Sequence, residues 1–245
     1  FYLVIVISLF WRTRTATWFR GAWCTVWTLV AVYMSTVPSP LQQDTIEATF
    51  IDVGHGTSVI VRTPEGQVWL YDCGRLGNVF GTSRYIDTAL WSLGVTHLDG
   101  VILSHADADH YNALPALLER FGVAAVITPP GMLAQEDRLL AQVRTAIGRH
   151  GIPVVEVHRG DAFTIGPLRS TEVTVMHPPS DRLDGSDNAN SLVLCFEHGR
   201  GILLLPGDVE PPGIGRLLSG RRPLPNGVLM APHHGSLSPD AAAVL

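Results

Sequence analysis

One run of residues limits what this chain can be more than any other: Val101-Ile-Leu-Ser104-His105-Ala-Asp107-Ala-Asp109-His110. An apolar stretch of strand type ends there, and two imidazoles and two carboxylates follow within six residues. Both groups ligate divalent transition metals. His105 and Asp107, two residues apart, can face one way while Asp109 and His110 reach a second point, so two cations side by side are the natural product. The competing reading is a polar surface loop, since the chain has 10 His and one pair of them is unremarkable. Four ligand types packed behind an apolar strand weigh against it.

Three further segments repeat the pattern of an apolar strand ending in a polar group. Trp69-Leu-Tyr71-Asp72-Cys73-Gly74 and Leu203-Leu-Leu-Pro206-Gly207-Asp208 each deliver a carboxylate, and Val228-Leu-Met-Ala-Pro232-His233-His234-Gly235 delivers two imidazoles. Singly each is weak, because Asp beside Gly after a strand is usually a turn. Their recurrence at strand ends points to a convergent site. His55, His97, His150, His158 and His198 read as surface or turn residues.

From Thr45 the chain has short β-type runs bounded by Gly, Pro and Asp: Ile46 to Val53, Ser58 to Thr63 and Gln67 to Cys73, an opening meander. Strand-like Gly100 to Ser104, Ala124 to Thr128, Val154 to Val157, Glu172 to Met176, Ser191 to Phe196, Ile202 to Leu205 and Val228 to Met230 follow. They alternate with stretches of helical spacing, best over Arg84 to Leu93, Leu114 to Phe121 and Ala134 to Arg149. The mixture fits a layered α/β sandwich better than an all-β barrel.

The first 40 residues differ. Phe1 to Trp11 and Gly21 to Val37 carry no charge and flank a loop holding Arg12, Arg14 and Arg20. The second stretch reads as a membrane span at the short end of the roughly 20 residues usual for one, and the first as the truncated end of another. A signal peptide would place its basic region first, whereas here an apolar segment precedes it. The arginines assign the loop to the cytoplasm and everything after Pro40 to the extracytoplasmic side. Residues 1–40 are therefore expected to be membrane-spanning segment(s) and linker, and 41–245 the folded domain, in a fragment of a longer protein. Three cysteines at wide spacing give no disulfide framework, and a Cys73–Cys195 bridge has nothing to support it. A net charge of −5 excludes a generic basic nucleic-acid module.

The ordered segments resemble the metallo-β-lactamase fold over about Thr45 to the end. Within it, Phe50-Ile-Asp52-Val-Gly54-His-Gly56, Asn190-Ser191-Leu-Val-Leu and Pro232-His-His-Gly-Ser236 resemble the C-terminal domain of the ComEC-type DNA-internalisation competence proteins, where that domain accompanies a membrane channel. The resemblance implies an αββα four-layer sandwich, preceded by transmembrane helix segment(s), with two divalent metal ions (Zn or Mn) between the sheets. By motif match His105 and Asp107 hold one metal and Asp109 and His110 the other. Asp208 bridges them and His234 completes the second set. Asp52, Asp72 and Asn190 are supporting residues. Asn190 stands where many relatives carry a further His, and His177 is the nearest imidazole to that position. The family pattern Asp-Val-Gly-Gln-Gly-Asp has His55 for Gln and Thr57 for the last Asp here, and Tyr111-Asn112 replaces an expected Gly-Gly.

The implied chemistry is metal-dependent phosphodiester hydrolysis of DNA, single strand or duplex, during competence-related uptake. Asp109 or Asp208 would orient the attacking water and His233 would supply a proton to the leaving oxygen, although His233 reads equally well as an exposed residue without a role. Three ligand carboxylates against two dications leave the site locally positive, so the acidic chain can still draw in a phosphate. Arg216, Arg221 and Arg222 are candidate phosphate contacts or simply a solvated cluster. The partners implied are DNA, the membrane and the channel domain of the same full-length protein. A non-catalytic DNA-binding or channel-stabilising domain with a degenerate metal site is the first alternative, and a hydrolase of small esters or lactones the second.

Overall fold

Alternating burial along short strands builds the molecule. The structure, a computed structural model, describes residues 23–31, 45–77, 79–166, 171–219 and 227–235. The chain divides into two compact units, Phe1–Gln43 and Asp44–Leu245. In the first, residues 23–31 form a helix on which the Trp23 and Trp27 rings stack with centroids 6.3 Å apart. Among the described residues no helix is long and apolar enough to cross a membrane. The expected Phe1 to Trp11 segment, and the parts of Gly21 to Val37 on either side of that helix, lie outside the described residues.

In the second unit, β1 (Glu47–Phe50), β2 (Val59–Arg62) and β3 (Val68–Tyr71) form the antiparallel meander. The chain then runs through α1 (Val79–Ser92), β4 (His97–Leu98), β5 (Gly100–Ile102), α2 (Ala108–Tyr111), α3 (Leu114–Leu118), β6 (Gly122–Val123), β7 (Val126–Thr128), α4 (Arg138–His150) and β8 (Val154–Glu156). β3, β5, β7 and β8 pair in parallel, giving a six-stranded sheet of order β1-β2-β3-β5-β7-β8. The second sheet holds β9 (Ala162–Ile165), β10 (Thr171–His177), β11 (Val193–His198), β12 (Gly201–Leu205) and β13 (Val228–Leu229) in the order β13-β12-β11-β10-β9, with α5 (Gly213–Leu218) following β12.

Successive side chains of a strand face opposite sides of the sheet, and each side of each sheet has its own core. Ile60 of β2 and Leu70 of β3 pack on the helical side with Ile86, Leu90, Leu114, Leu117, Leu140 and Val143. Their neighbours Val59, Val61, Trp69 and Tyr71 turn inward to meet Val173, Leu194, Phe196, Leu203 and Leu205 of the second sheet. Val193, Cys195, Ile202 and Leu204 face outward and are covered by Ile214 and Leu217 of α5. Helices, two sheets and one more helix are thus stacked as the expected αββα layers. Each fully buried Leu or Phe in these layers stabilises the fold by roughly 1.5–3 kcal/mol relative to an exposed one.

Most expected elements are present with trimmed ends. The helix anticipated over Ala134 to Arg149 starts at Arg138, because the Asp137 carboxylate caps it by accepting from Leu139 N and Leu140 N. Residues Met132–Ala134 form a separate 3-10 turn. The helix expected from Leu114 to Phe121 stops at Leu118, and α1 begins five residues before Arg84. The two-residue strands β4 and β6, which pair with each other, are too short to leave a periodic signal. α2 sits where a loop was expected. Cys73 and Cys195 are buried and free, so no bridge joins them.

Candidate metal centre

The site lies where four strands end. β3 and β5 run in parallel, as do β12 and β13, so the residues after each emerge at one rim of the sandwich, the usual ligand position in open α/β sheets. Asp72, the first residue after β3, has φ +55°. A non-glycine residue held there stores on the order of 1–3 kcal/mol of strain. Its carboxylate accounts for the strain: Oδ1 accepts from Ser104 N (2.7 Å), and Oδ2 accepts from Ser104 Oγ (2.7 Å) and lies 2.8 Å from His110 Nδ1. Gly74 makes the close approach to α2 possible, since a Cβ there would sit 2.2 Å from the Asp109 carbonyl carbon.

These bonds set the tautomers. His110 Nδ1 donates to the Asp72 carboxylate, so Nε2 faces the rim. The single Ser104 Oγ proton goes to Asp72, so Oγ accepts from His105 Nδ1 at 2.9 Å, and His105 Nε2 is likewise free to ligate. The second sheet is stitched to this floor: Leu192 N donates to Ser104 O (2.7 Å), and the Tyr71 hydroxyl donates to Leu192 O (2.8 Å).

The ligand-type atoms converge. One ligand atom each of His105, His110 and Asp208 lie within 4.8 Å of one another, all three residues being buried. His110 Nε2 is 3.4 Å and His234 Nε2 3.3 Å from Asp208 Oδ2, and the His105 and His110 rings are 4.1 Å apart. His234 Nε2 also faces Asp109 Oδ2 at 3.7 Å, while Asp107 Oδ2 lies 3.5 Å from His105 Nε2 at the solvent side. His105 Nε2, His110 Nε2 and Asp208 Oδ1 are buried without a hydrogen-bond partner. An unpaired buried polar group costs roughly 1–3 kcal/mol, and three gathered at one point fit a divalent cation. Nitrogen and carboxylate donors in this number suit a borderline transition metal.

The local charges agree. Burial opposes a charged His110, but the Asp72 and Asp208 carboxylates outweigh it and raise the imidazole to about 10. Burial likewise opposes an ionised Asp109, yet His234 and His110 hold its carboxyl at about 2. Asp208 is lowered below the usual carboxyl range: burial is overcome by His110, His105 and His234. Asp109 raises His234, against burial, with help from Asp208. Cation and proton compete for the same imidazole nitrogens.

The other predicted residues fall elsewhere. His233 stands at the rim with Nδ1 3.8 Å from Glu210 Oε2, its ring 6.3 Å from that of His234. Asp52 is exposed, and its Oδ1 accepts from Gly54 N, capping a turn outside the cluster. Asn190 is buried, accepts from Leu183 N and donates to Leu183 O and Ser186 O, so its polar atoms are committed to shaping a loop. His177 does not replace it: its Nε2 lies 2.8 Å from Ala189 O, and among the described residues it belongs to neither group of converging donors. Tyr111 is buried and donates to Asp137 Oδ1, and Asn112 clamps the Arg75 backbone through bonds to its N and O. Arg221 and Arg222 lie outside the described residues. His198 is no surface residue: it is 7% exposed, with Nδ1 3.1 Å from Thr171 Oγ1.

Two site residues escape a reading from sequence. Ser104, the hub between Asp72, His105 and His110, has as its only signal a hydroxyl just before the first imidazole. His55, read as a turn residue, stands beside Asp109 and His234.

Comparison with known proteins fits this geometry. The family model described as the metallo-beta-lactamase superfamily matches residues 51–244. ComE operon protein 3 of Bacillus subtilis (strain 168) is 29% identical over 231 residues, 88% of this chain and 28% of the relative. Competence protein ComA of Neisseria gonorrhoeae is 28% identical over 219 residues, 89% of this chain and 28% of the relative. The chain thus spans little more than a quarter of the length of these curated relatives. MEM-A1, a subclass B3 metallo-beta-lactamase isolated from a soil metagenome library, superposes with TM-score 0.52 at 13% identity over 77% of each chain, a likeness of fold alone.

Proposed function

The chain belongs to the metallo-beta-lactamase superfamily, and from that membership we propose that it is a metal-dependent hydrolase, a phosphodiesterase acting on DNA during competence-related uptake. The observation that carries this reading is the trio of buried, unpartnered donors His105 Nε2, His110 Nε2 and Asp208 Oδ1. The name of one relative, a competence protein, supports the link to competence. The membrane, reached through the preceding segments, and the channel domain of a longer protein are the partners this reading requires, with the hydrolase on the extracytoplasmic side.

His105 and Asp107 would hold one divalent cation (Zn or Mn), Asp109, His110 and His234 a second, and Asp208 both. When bound, such ions supply Lewis-acid chemistry, acidifying a water and neutralising charge on a phosphoryl oxygen. The protein's own groups do the rest. Asp72 and Ser104 fix the two imidazoles in their ligating tautomers. Asp109 or Asp208 accepts a hydrogen from the attacking water and aims its lone pair at phosphorus. His233, at the rim, gives a proton to the departing sugar oxygen, with Glu210 steadying its ring.

The test is metal analysis of the chain by mass spectrometry, coupled to cleavage of end-labelled single-stranded and duplex DNA with and without chelator. Metal-dependent cleavage that Asp208→Asn abolishes is the expected result. Intact DNA with metal bound overturns it. Asn190 favours a second reading, a non-catalytic DNA-binding or channel-stabilising domain, because it supplies no ligand where many relatives have His. That reading gains if DNA is retained but uncut. Turnover of small esters or lactones with indifference to DNA would move the substrate instead.

A further inference from the structure

The loop from β1 to β2 is built to present a side chain at the rim. Asp52 Oδ1 caps Gly54 N, Leu76 N donates to His55 O (2.6 Å), and Thr57 N donates to Asp109 O (3.3 Å). Gly74 N donates in turn to Thr57 O (3.3 Å). Gly56, at φ +145°, allows the contact: a Cβ there would come within 2.5 Å of Gly74 O and 2.7 Å of Asp109 O. The backbone from the His55 carbonyl to Thr57 is therefore tied to the segments that carry Asp72 and Asp109, while the Asp52–Gly54 bond shapes the turn before it.

Held this way, the His55 ring reaches the outer face of the cluster. Its Nε2 is 3.7 Å from Asp109 Oδ2, and its ring centroid is 5.1 Å from that of His234. Ligand atoms of His55, Asp109 and His234 lie within 4.8 Å of one another, a second group beside the buried one of His105, His110 and Asp208. An exposed histidine in a solvated ion pair is the simpler reading, and at 64% side-chain exposure His55 would satisfy it. Against it stand the locked backbone and the second imidazole across the same carboxylate. The His55 imidazole offers the nitrogen that borderline metals prefer.

We propose that His55 is a metal ligand, closing with Asp109 and His234 an outer three-donor face for one divalent cation. The assignment rests on the metal-site reading above. It adds a donor from the β1–β2 loop, outside the motif-matched set, and so predicts an outer cation held more tightly than that set alone would hold it.

The experiment titrates the full chain, stripped with chelator, with Zn²⁺ by calorimetry and with Co²⁺ by visible absorption. His55→Gln should lower the affinity for one cation by about tenfold or more, given that even outer-sphere partners of metal ligands are worth 10–100-fold. It should also change the Co²⁺ spectrum and leave binding of the other cation intact. His150→Gln, on the exposed end of α4, should match the wild type. The proposal is overturned if His55→Gln binds both cations as the wild type does while His234→Gln loses one, a result that leaves the metal-site reading standing. A wild-type chain that takes up neither Zn²⁺ nor Co²⁺ overturns both.

Discussion

Asp72 grips His110 from behind: its Oδ2 lies 2.8 Å from His110 Nδ1, and the opposite ring nitrogen faces Asp208 Oδ2 at 3.4 Å. The two residues are 38 apart in sequence and both are buried, so neither can satisfy the other's charge by any local route. One carboxylate thereby fixes a ring orientation, a tautomer and the position of Ser104. The strained backbone at Asp72 is what places it there.

Asp72→Asn should weaken Zn²⁺ binding by about 10–100-fold while leaving the ligand set intact. Calorimetric titration of the two proteins checks this. The protein stripped of metal should also lose stability, because His110 would lose its nearest charged partner and keep only the more distant carboxylates of Asp208 and Asp109. An unaltered Zn²⁺ affinity would mean that the Asp72–His110 bond does not orient a ligand.

Asn190→Ala should cost about 1–3 kcal/mol, since Leu183 N, Leu183 O and Ser186 O lose their partner. Bound metal per chain should not change. Urea midpoints give the first quantity and elemental analysis the second. Loss of a cation from this variant would tie Asn190 to the metal site.

Asp137→Ala removes the cap of α4 and should lower stability by about 0.5–2 kcal/mol at neutral pH. The bond from Leu140 N lowers this carboxyl, slight burial opposing and the Tyr111 hydroxyl assisting. A depressed folded-state value means that the stabilisation is fully present above the ordinary 3.8 and is lost as pH falls through the lowered one. Asp137→Asn, which keeps an acceptor but cannot titrate, should flatten this share of the acid dependence. Urea unfolding of the three proteins at pH 7 and at pH near 3 tests both halves.

Chelator should lower the melting temperature. A ligand at 100 times its Kd adds about 2.7 kcal/mol to the folded state, so thermal scans with excess Zn²⁺ and with chelator should separate clearly. Asp208→Asn should narrow the gap. Equal melting temperatures would show that these donors hold no cation.

Tyr71→Phe should cost about 0.5–1.5 kcal/mol, the net worth of the hydroxyl's bond to Leu192 O across the sheets. Zn²⁺ affinity should stay within about threefold, because the Tyr71 hydroxyl donates to Leu192 O and is not one of the converging ligand groups. A large drop in affinity would make the stitch between the sheets part of the site.

Much of the architecture was legible in the order of residues. Val59-Ile60-Val61 and Trp69-Leu70-Tyr71 are apolar on both faces, as strands covered on two sides must be, and their alternate residues divide between the helical and inter-sheet cores. The string from His105 to His110 was visible because its donors are neighbours in sequence. β4 and β6 were not, because two residues carry no period. The role of Asn190 was not, because an amide that ties a loop and an amide at a metal look alike in a string of letters. Arg138, where α4 begins, follows a capping carboxylate that a periodicity of apolar residues does not register.

By itself the sequence determined most of the longer strands and helices and that donors cluster at strand ends, since hydrophobic period and local spacing are properties of neighbouring residues. Only the tertiary structure decided that Asp72 and Ser104 set the tautomers, that Asn190 turns to its own loop, and that His55 stands across from His234. The first and last of those relationships join residues tens of positions apart, and they depend on ångström-scale approaches such as that of Gly56 to Asp109. Such distances exist only once two sheets have packed and brought their rims together.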